Sequence, residues 1–235
     1  MAISGGHQVQ ATSLSTEMAA DAPPPPDVKA WKLVLVLCAF GAVTGLTLAG
    51  VFGWTQPRID QYQAKLTSEA VQEVLKRPAR VTPLYVNGNT LSEQPPGGSD
   101  PARADRVFVG YDAGGTRIGF AIRGKGPGFK DDLQLMFGYD PATKQLIGMT
   151  VLEETETPGI GDKIEKDVDF VRAFLGVAAP IEGVKPGRGQ GNRHAVDMIT
   201  GATISSRAVI GIINKRVEAL TPALEAYVQQ GGGVR

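Results

Sequence analysis

The residues with the clearest chemical potential lie near the C-terminus, where a threonine hydroxyl follows a glycine–alanine step. The run reads Thr200-Gly201-Ala202-Thr203, and Asp197 precedes it. Small residues let the backbone approach another group closely, and the free N–H groups at the start of a helix attract anions. With a helix predicted from Thr203 onward, the run suits a phosphate. A threonine that serves only as an N-cap for that helix would explain the same residues.

A second candidate segment follows a predicted buried strand and combines two glycines with a proline. It reads Glu156-Thr157-Pro158-Gly159-Ile160-Gly161. Such a loop is rigid and open to close approach of its backbone, which suits it to lining a flat ligand. The glutamates Glu153, Glu154 and Glu156 have two other interpretations. They are the solvated end of a strand, or they are a carboxylate metal site without a histidine partner.

Cysteine and histidine are too scarce for disulfide or zinc chemistry. The chain has one cysteine, Cys38, and two histidines, His7 and His194. A single thiol cannot form an internal disulfide, and this set does not supply the usual ligands of a zinc site. We identify no catalytic acid, base or nucleophile and no metal site, and we interpret His194 as a surface or structural residue. Any redox chemistry therefore requires an imported cofactor.

The composition favours one globular domain with attached segments. Lys and Arg together number 24, as do Asp and Glu, so the formal net charge is +0. A chain without excess positive charge is a poor candidate for binding nucleic acid. Hydrophobic residues make up 42% of the 235 residues, which is enough for one core.

An uncharged apolar run from Leu33 to Gly53 predicts a membrane anchor. Its length is close to the roughly 20 residues that cross a bilayer as a helix, and Trp31 and Trp54 bracket it as interfacial aromatics do. A cleaved signal peptide is the competing interpretation. The run exceeds the roughly 7–15 apolar residues of such a peptide, and no clear small-x-small cleavage site follows it. We therefore predict an uncleaved single-pass helix.

The segments that flank the anchor give little information on its orientation. Lys29 and Lys32 on one side are balanced by Arg58 and Lys65 on the other, so the positive-inside rule does not favour either orientation. Residues 1–30 are rich in Ser, Thr and Ala and contain four consecutive prolines. This composition predicts a disordered tail with a short polyproline stretch.

The apolar pattern after the anchor predicts an α+β domain. Helical spacing runs over 57–77, between two prolines, and a Pro/Gly-rich loop at 95–100 precedes a change to a period of two. Turns at 112–115 and 140–144 join two pairs of strands, so the sheet is expected to be small and antiparallel, with helices packed on it. The predicted strands are 106–111, 117–122, 133–138 and 146–152, and the later helices are 163–175 and 203–220.

Together the two candidate segments resemble the FMN-binding domain of the RnfG subunit of the Rnf ion-translocating electron-transport complex, and its relative NqrC of the sodium-pumping quinone reductase. The family's Ser/Thr-Gly-Ala-Thr sequence matches 200–203, with its upstream aspartate at 197. The Glu-Thr-Pro-Gly-Leu-Gly loop matches 156–161, with isoleucine in place of leucine. The Gly-Tyr-Asp-Pro-x-Thr turn matches 138–143, and the resemblance covers about residues 30 to 220.

The resemblance implies that Thr203 carries FMN through a phosphoester. A flavin transferase would install the cofactor and would read Asp197 as well. Ser205 and Ser206 stand where Thr-Ser or Thr-Pro is common, a mild departure beyond the attachment point. The other residues that the resemblance implies at the cofactor are Thr200, Gly201, Ala202, Glu156, Thr157, Pro158 and Gly159.

The resemblance also implies an electron carrier that is not catalytic alone. In the family, Rnf complexes pass electrons between ferredoxin and NAD while sodium ions or protons cross the membrane. The implied partners are other Rnf membrane subunits, including a second flavin carrier and iron–sulfur subunits, with the flavin domain on the periplasmic side of a bacterial inner membrane. Two alternatives stay open: an NqrC-like subunit of a quinone reductase, and a membrane-tethered assembly module without flavin.

These observations divide the chain into five predicted parts. A tail over 1–30 precedes the transmembrane helix at 31–54. A membrane-proximal helix and linker over 55–100 leads to an FMN-binding domain over 101–222, and a C-terminal tail occupies 223–235.

Overall fold

The computed structural model describes residues 29–97 and 104–231. The predicted tail at 1–30 thus lies almost wholly outside the described residues, as does the second half of the loop at 95–100. The elements are, in chain order, α1 (Ala30–Val74), β1 (Arg80–Asn87), β2 (Thr90–Ser92), β3 (Arg106–Tyr111), β4 (Arg117–Pro127), β5 (Asp132–Asp140), β6 (Gln145–Glu153), α2 (Lys163–Lys166), α3 (Val168–Ala173), β7 (Glu182–Val184), β8 (Ala195–Asp197) and α4 (Thr203–Gln229).

Helix α1 contains the predicted membrane anchor. It is the one helix among the described residues that is long and apolar enough to cross a membrane, and its most apolar stretch is not buried inside the protein. The sequence pattern predicts a separate second helix that starts at Pro57 and ends at 77. Instead Pro57 lies inside α1, because a proline removes one backbone donor but does not by itself stop a helix. The helix ends at Val74, and the next turn places Lys76 and Arg77 at φ of 58° and 61°.

The centre of the domain is a six-stranded antiparallel sheet in the order β2-β1-β3-β4-β5-β6. The two predicted strand pairs are confirmed as β3/β4 and β5/β6, each joined by the turn that the sequence indicated. Strand β4 is longer than predicted and pairs with β5 as far as Pro127. Alternating apolar residues therefore identified the middle of the sheet correctly.

Sequence patterns missed the other strands. Residues 80–92, within the predicted linker at 55–100, form β1 and β2, and β1 pairs with β3. Pro83 lies within β1, and only Leu84 of this strand is buried, so the alternation of apolar residues is weak there. Strands β7 and β8 form a separate parallel pair of three residues each, too short for a periodic signal.

Helix α4 covers one face of the sheet. The predicted stripe of Val209, Ile213, Val217 and Leu220 is buried, which confirms the helix and its inward face. The predicted C-terminal tail at 223–235 was partly wrong. The helix continues through Pro222 to Gln229, and it buries Ala223 and Leu224 completely.

Polar side chains fix α4 against its neighbours. The Arg216 guanidinium donates to both carboxylate oxygens of Asp105, at 3.1 and 2.9 Å, and its Nε donates to the carbonyl of Arg123 at 3.0 Å. Asn214 both donates to and accepts from the backbone of Ile181, at 2.8 Å in each direction. These bonds connect α4 to β4 and to the segment that leads into β7.

The end of α1 packs on the sheet in a second, smaller core. Ala70, Val71 and Val74 are buried there with Ala121 and Met136.

The predicted helix at 163–175 is two short helices that pack beside β6. The reason is that the Asp167 side chain accepts from the N–H groups of Asp169 and Phe170 and so caps a new helix.

Gly138 of β5 tests the contact between the sheet and the end of α1. A Cβ at Gly138 would overlap the carbonyl oxygen of Val74, a backbone atom with little room to move, whereas a Cβ at Gly211 in α4 would meet open space. We expect Gly138→Ala to lower the free energy of unfolding by about 1–3 kcal/mol. Gly211→Ala should instead raise it by up to about 1 kcal/mol, because glycine weakens a helix interior. Chemical unfolding of the detergent-solubilised chain measures both, and equal stability of the two variants would contradict the packing.

Candidate functional site

The run 200–203 forms the turn that enters α4. Strand β8 ends at Asp197, and Gly201 in the turn adopts φ of +84°, a conformation that glycine accepts without strain. Ser206 closes the turn from the helix side: its Oγ accepts from the N–H of Ile199 at 3.1 Å and donates to the carbonyl of Ala202 at 2.9 Å. The sequence motif is thus one folded unit in which Ala202 is buried and Thr203 is exposed.

Thr203 is the first residue of α4 and is not its N-cap. The capping position is Ala202, no side chain caps the helix, and its first turn has no acidic residue. The Thr203 hydroxyl is 3.5 Å from the carbonyl oxygen of Ile199, a weak contact. The N-cap interpretation of Thr203 is therefore wrong, and its hydroxyl is accessible beside a helix N-terminus that favours negative charge.

Asp197 organises the loop that precedes the turn. Its Oδ2 accepts from the N–H of Gly187 at 2.9 Å, and its Oδ1 accepts from the N–H of Gly189 at 3.0 Å. A carboxylate that accepts two backbone amides closes the loop from β7 to β8. The sequence did not predict this internal role.

A cleft of about 660 Å³ lies beside the turn. Its volume falls within the range of roughly 300–1,000 Å³ that is usual for small-molecule sites. The Lys166 ammonium on its wall donates to the Asp162 carboxylate, and this bond holds the pKa of Asp162 below its ordinary value. The other oxygen of Asp162, Oδ1, is buried and has no hydrogen-bond partner among the described residues. The lining residues include Lys163, Lys166, Phe170, Asp197, Ile199 and Thr200.

The loop 156–161 presents its backbone outward and its glutamate inward. Pro158, Gly159 and Ile160 are exposed, and Gly159 has φ of +79°. Glu156 is 4% exposed. Its carboxylate accepts from the N–H of Phe129 at 2.7 Å and from the Ser205 hydroxyl at 3.1 Å. The structure therefore brings the loop and the start of α4 together, and it joins them through Ser205, a residue to which the sequence assigned no role.

The three glutamates of this region do not form a metal site. Glu153 accepts from the side chain of Gln134, Glu154 accepts from the N–H of Glu156, and Glu156 turns into the protein. Within 29–97 and 104–231, no group of three or more His, Cys, Asp or Glu residues is placed to hold a metal ion.

Comparison with known families identifies this region. The sequence model of the family described as "FMN-binding domain" matches residues 128–218. That segment begins beside Phe129 and ends within α4. It therefore contains the loop 156–161, the turn 200–203 and the residues that line the cleft.

Curated relatives cover most of the chain. The RnfG subunit of the ion-translocating oxidoreductase complex from one Cereibacter sphaeroides strain is 30% identical over 232 residues, which cover 88% of this chain and 97% of that protein. The protein of the same name from Methanosarcina acetivorans is 27% identical over 187 residues, which cover 80% of this chain and 92% of that protein.

A solved structure shows the same fold. The crystal structure of Shewanella oneidensis NqrC matches with a TM-score of 0.52 and 18% identity, over 68% of this chain and 86% of that chain. The predicted architecture, one N-terminal apolar helix followed by an α+β domain of the FMN-binding type, is confirmed.

The role of Asp197 in the loop predicts a local effect of its removal. In Asp197→Ala, the N–H groups of Gly187 and Gly189 lose their acceptor, at a cost of about 0.5–1.5 kcal/mol for each hydrogen bond. We expect hydrogen exchange of these two amides to accelerate, with a smaller effect in Asp197→Asn, which keeps one acceptor oxygen. Asp112→Ala is the matched control, because Asp112 accepts from the N–H of Thr116 in a distant turn. Unchanged exchange at Gly187 and Gly189 in Asp197→Ala would contradict the assignment.

Proposed function

The chain belongs to the RnfG family of ion-translocating oxidoreductase subunits, and from this we propose that it is an FMN-carrying electron-transfer subunit held in the membrane by α1. The resemblance found in the sequence is thereby confirmed at the level of the family.

The observation that carries the proposal is the exposure of Thr203 at a helix N-terminus without a side-chain cap, in the same short run as Thr200, which lines a cleft of ligand size. An exposed hydroxyl can take a bulky phosphoester without displacing core side chains. The N–H groups of the first turn of α4 then lie next to the phosphate, where the helix dipole stabilises negative charge. The residues present thus fit a phosphate-linked cofactor.

We propose specific roles for the surrounding residues. Thr203 Oγ is the ester oxygen, and Thr200, Gly201 and Ala202 shape the backbone around the phosphate. Thr157, Pro158 and Gly159 line the flavin with their exposed loop, and Glu156 supports that loop. Asp197 holds the surface that the flavin transferase reads.

The protein contributes position and environment, while bound FMN supplies the redox chemistry. A phosphoester prevents the flavin from dissociating, so the flavin keeps a fixed place between its electron donor and its electron acceptor. We propose that these belong to an Rnf complex that links ferredoxin and NAD, with a second flavin carrier and iron–sulfur subunits as partners. We propose that the complex lies in a bacterial inner membrane, with the C-terminal domain of this chain in the periplasm.

Attachment at Thr203 predicts a loss of covalent flavin in one variant. Coexpressed with a flavin transferase, the wild-type chain should give a fluorescent band on a denaturing gel and a mass increase of one FMN less water. Thr203→Val keeps the β-branched shape but has no ester oxygen, so the band should disappear. Thr221→Val removes another hydroxyl of α4, one bonded to the carbonyl of Val217, so it is the matched control and should retain covalent flavin. A fluorescent Thr203→Val chain would contradict the attachment site, and an unlabelled wild type would favour the flavin-free assembly module.

The role of α1 as an anchor predicts how the chain fractionates. The apolar part of the helix is exposed along its length, whereas the compact unit that begins at Ile59 has its own core. The full chain should remain in membranes after an alkaline carbonate wash. A chain that begins at residue 59 should appear in the soluble fraction. Release of the full chain by carbonate would contradict a spanning helix.

A further inference from the structure

We infer that Glu156 is a positioning residue for the attachment threonine, acting through Ser205; this inference rests on the proposed function of Thr203. The Glu156 carboxylate accepts from Phe129, which lies 27 positions earlier in the sequence, and from Ser205, which lies 49 positions later. The N–H of Lys130 makes a longer contact of 3.4 Å to the same Oε1 atom. One side chain therefore joins the 128–130 loop, the 156–161 loop and the first turn of α4.

Two glycines leave the space that this carboxylate occupies. A Cβ at Gly128 would overlap Glu156 Oε1, and a Cβ at Gly161 would lie 2.6 Å from Oε2. Neither position has φ in the left-handed region, so close approach to the carboxylate, and not backbone conformation, favours glycine there. The second glycine of the loop motif thus gives Glu156 its place beneath the loop.

The position of the carboxylate is also favourable electrostatically. Its hydrogen-bonded partners are two backbone N–H groups and one hydroxyl, and the hydroxyl belongs to the third residue of α4. The helix has no acidic residue in its own first turn. Glu156 therefore meets only hydrogen-bond donors, one of which lies in the first turn of α4, and the N–H groups of that turn stay available to the phosphate.

Two neighbouring serines then fix the first turn of α4 to two different segments of the chain. Ser205 donates to Glu156, and Ser206 bonds the turn through Ile199 and Ala202. Both serines are buried, at 3% and 0% exposure, whereas Thr203 is exposed. The Thr203 oxygen is consequently held at a set distance from the flavin-lining loop before a flavin arrives. Without the Ser205–Glu156 bond, the loop and the helix start can separate.

The test compares initial rates of covalent labelling of the full-length chain during brief coexpression with a flavin transferase, by in-gel flavin fluorescence per chain. We expect Ser205→Ala to label about tenfold more slowly than wild type, in line with the loss of a hydrogen bond to a charged group. Ser205→Thr keeps the hydroxyl and should restore the rate to within about twofold. Glu156→Gln keeps the size of the side chain but removes its charge, and it should also label slowly.

Thr221→Ala is the matched control. Thr221 is another hydroxyl of α4, bonded to the carbonyl of Val217, and it is about 27 Å from Thr203 at 1.5 Å per helical residue. A second readout uses the chain without transferase. Hydrogen exchange over residues 203–206 should accelerate in Ser205→Ala and Glu156→Gln and stay unchanged in Thr221→Ala.

The outcomes separate this inference from the proposed function. A labelled wild type with equal labelling of Ser205→Ala would overturn the inference alone. Slow labelling of Ser205→Thr as well would overturn it too, because the hydroxyl would then not be the cause. An unlabelled wild type would overturn the proposed function and, with it, the inference.

Discussion

A buried carboxylate without a cationic partner among its hydrogen bonds holds the candidate site together. Burying a charge is costly unless it is well bonded, and Glu156 meets this requirement with two backbone amides and one hydroxyl from the first turn of α4. These groups come from parts of the chain that no local structure would bring together. The geometry around Thr203 therefore depends on a set of long-range hydrogen bonds, and those bonds depend on the sheet that carries both loops.

Helix α4 combines two functions that place different demands on its sequence. Its central part is apolar on one side and forms the main core with the sheet, while Arg216 and Asn214 fix it by polar bonds. Its first turn is instead rich in hydroxyls, with Thr203 exposed and both serines buried. The packed length of the helix thus anchors the short first turn that we propose as the attachment site.

The elements with strong local signals were the ones that sequence patterns predicted well. Three patterns can be recognised from a few neighbouring residues. They are the uncharged run of membrane length, the alternating strands joined by short turns, and the apolar stripe of α4. Predictions were weaker where a proline lies inside a helix or a strand. Pro57 and Pro222 lie inside helices, and Pro83 lies inside β1, because the bonds of the surrounding element outweigh one missing donor.

By itself, the sequence determined the anchor, the α+β pattern, the family motifs and the two segments that form the site. Only the tertiary structure decided what individual side chains of those segments do. Glu156, which the sequence placed at the ligand surface, turns inward, and Asp197 binds its own loop. Ser205 becomes the link between loop and helix. The reason is physical: periodicity and turn chemistry are local, whereas the partner of a buried polar group is chosen by the fold from residues far away in the chain.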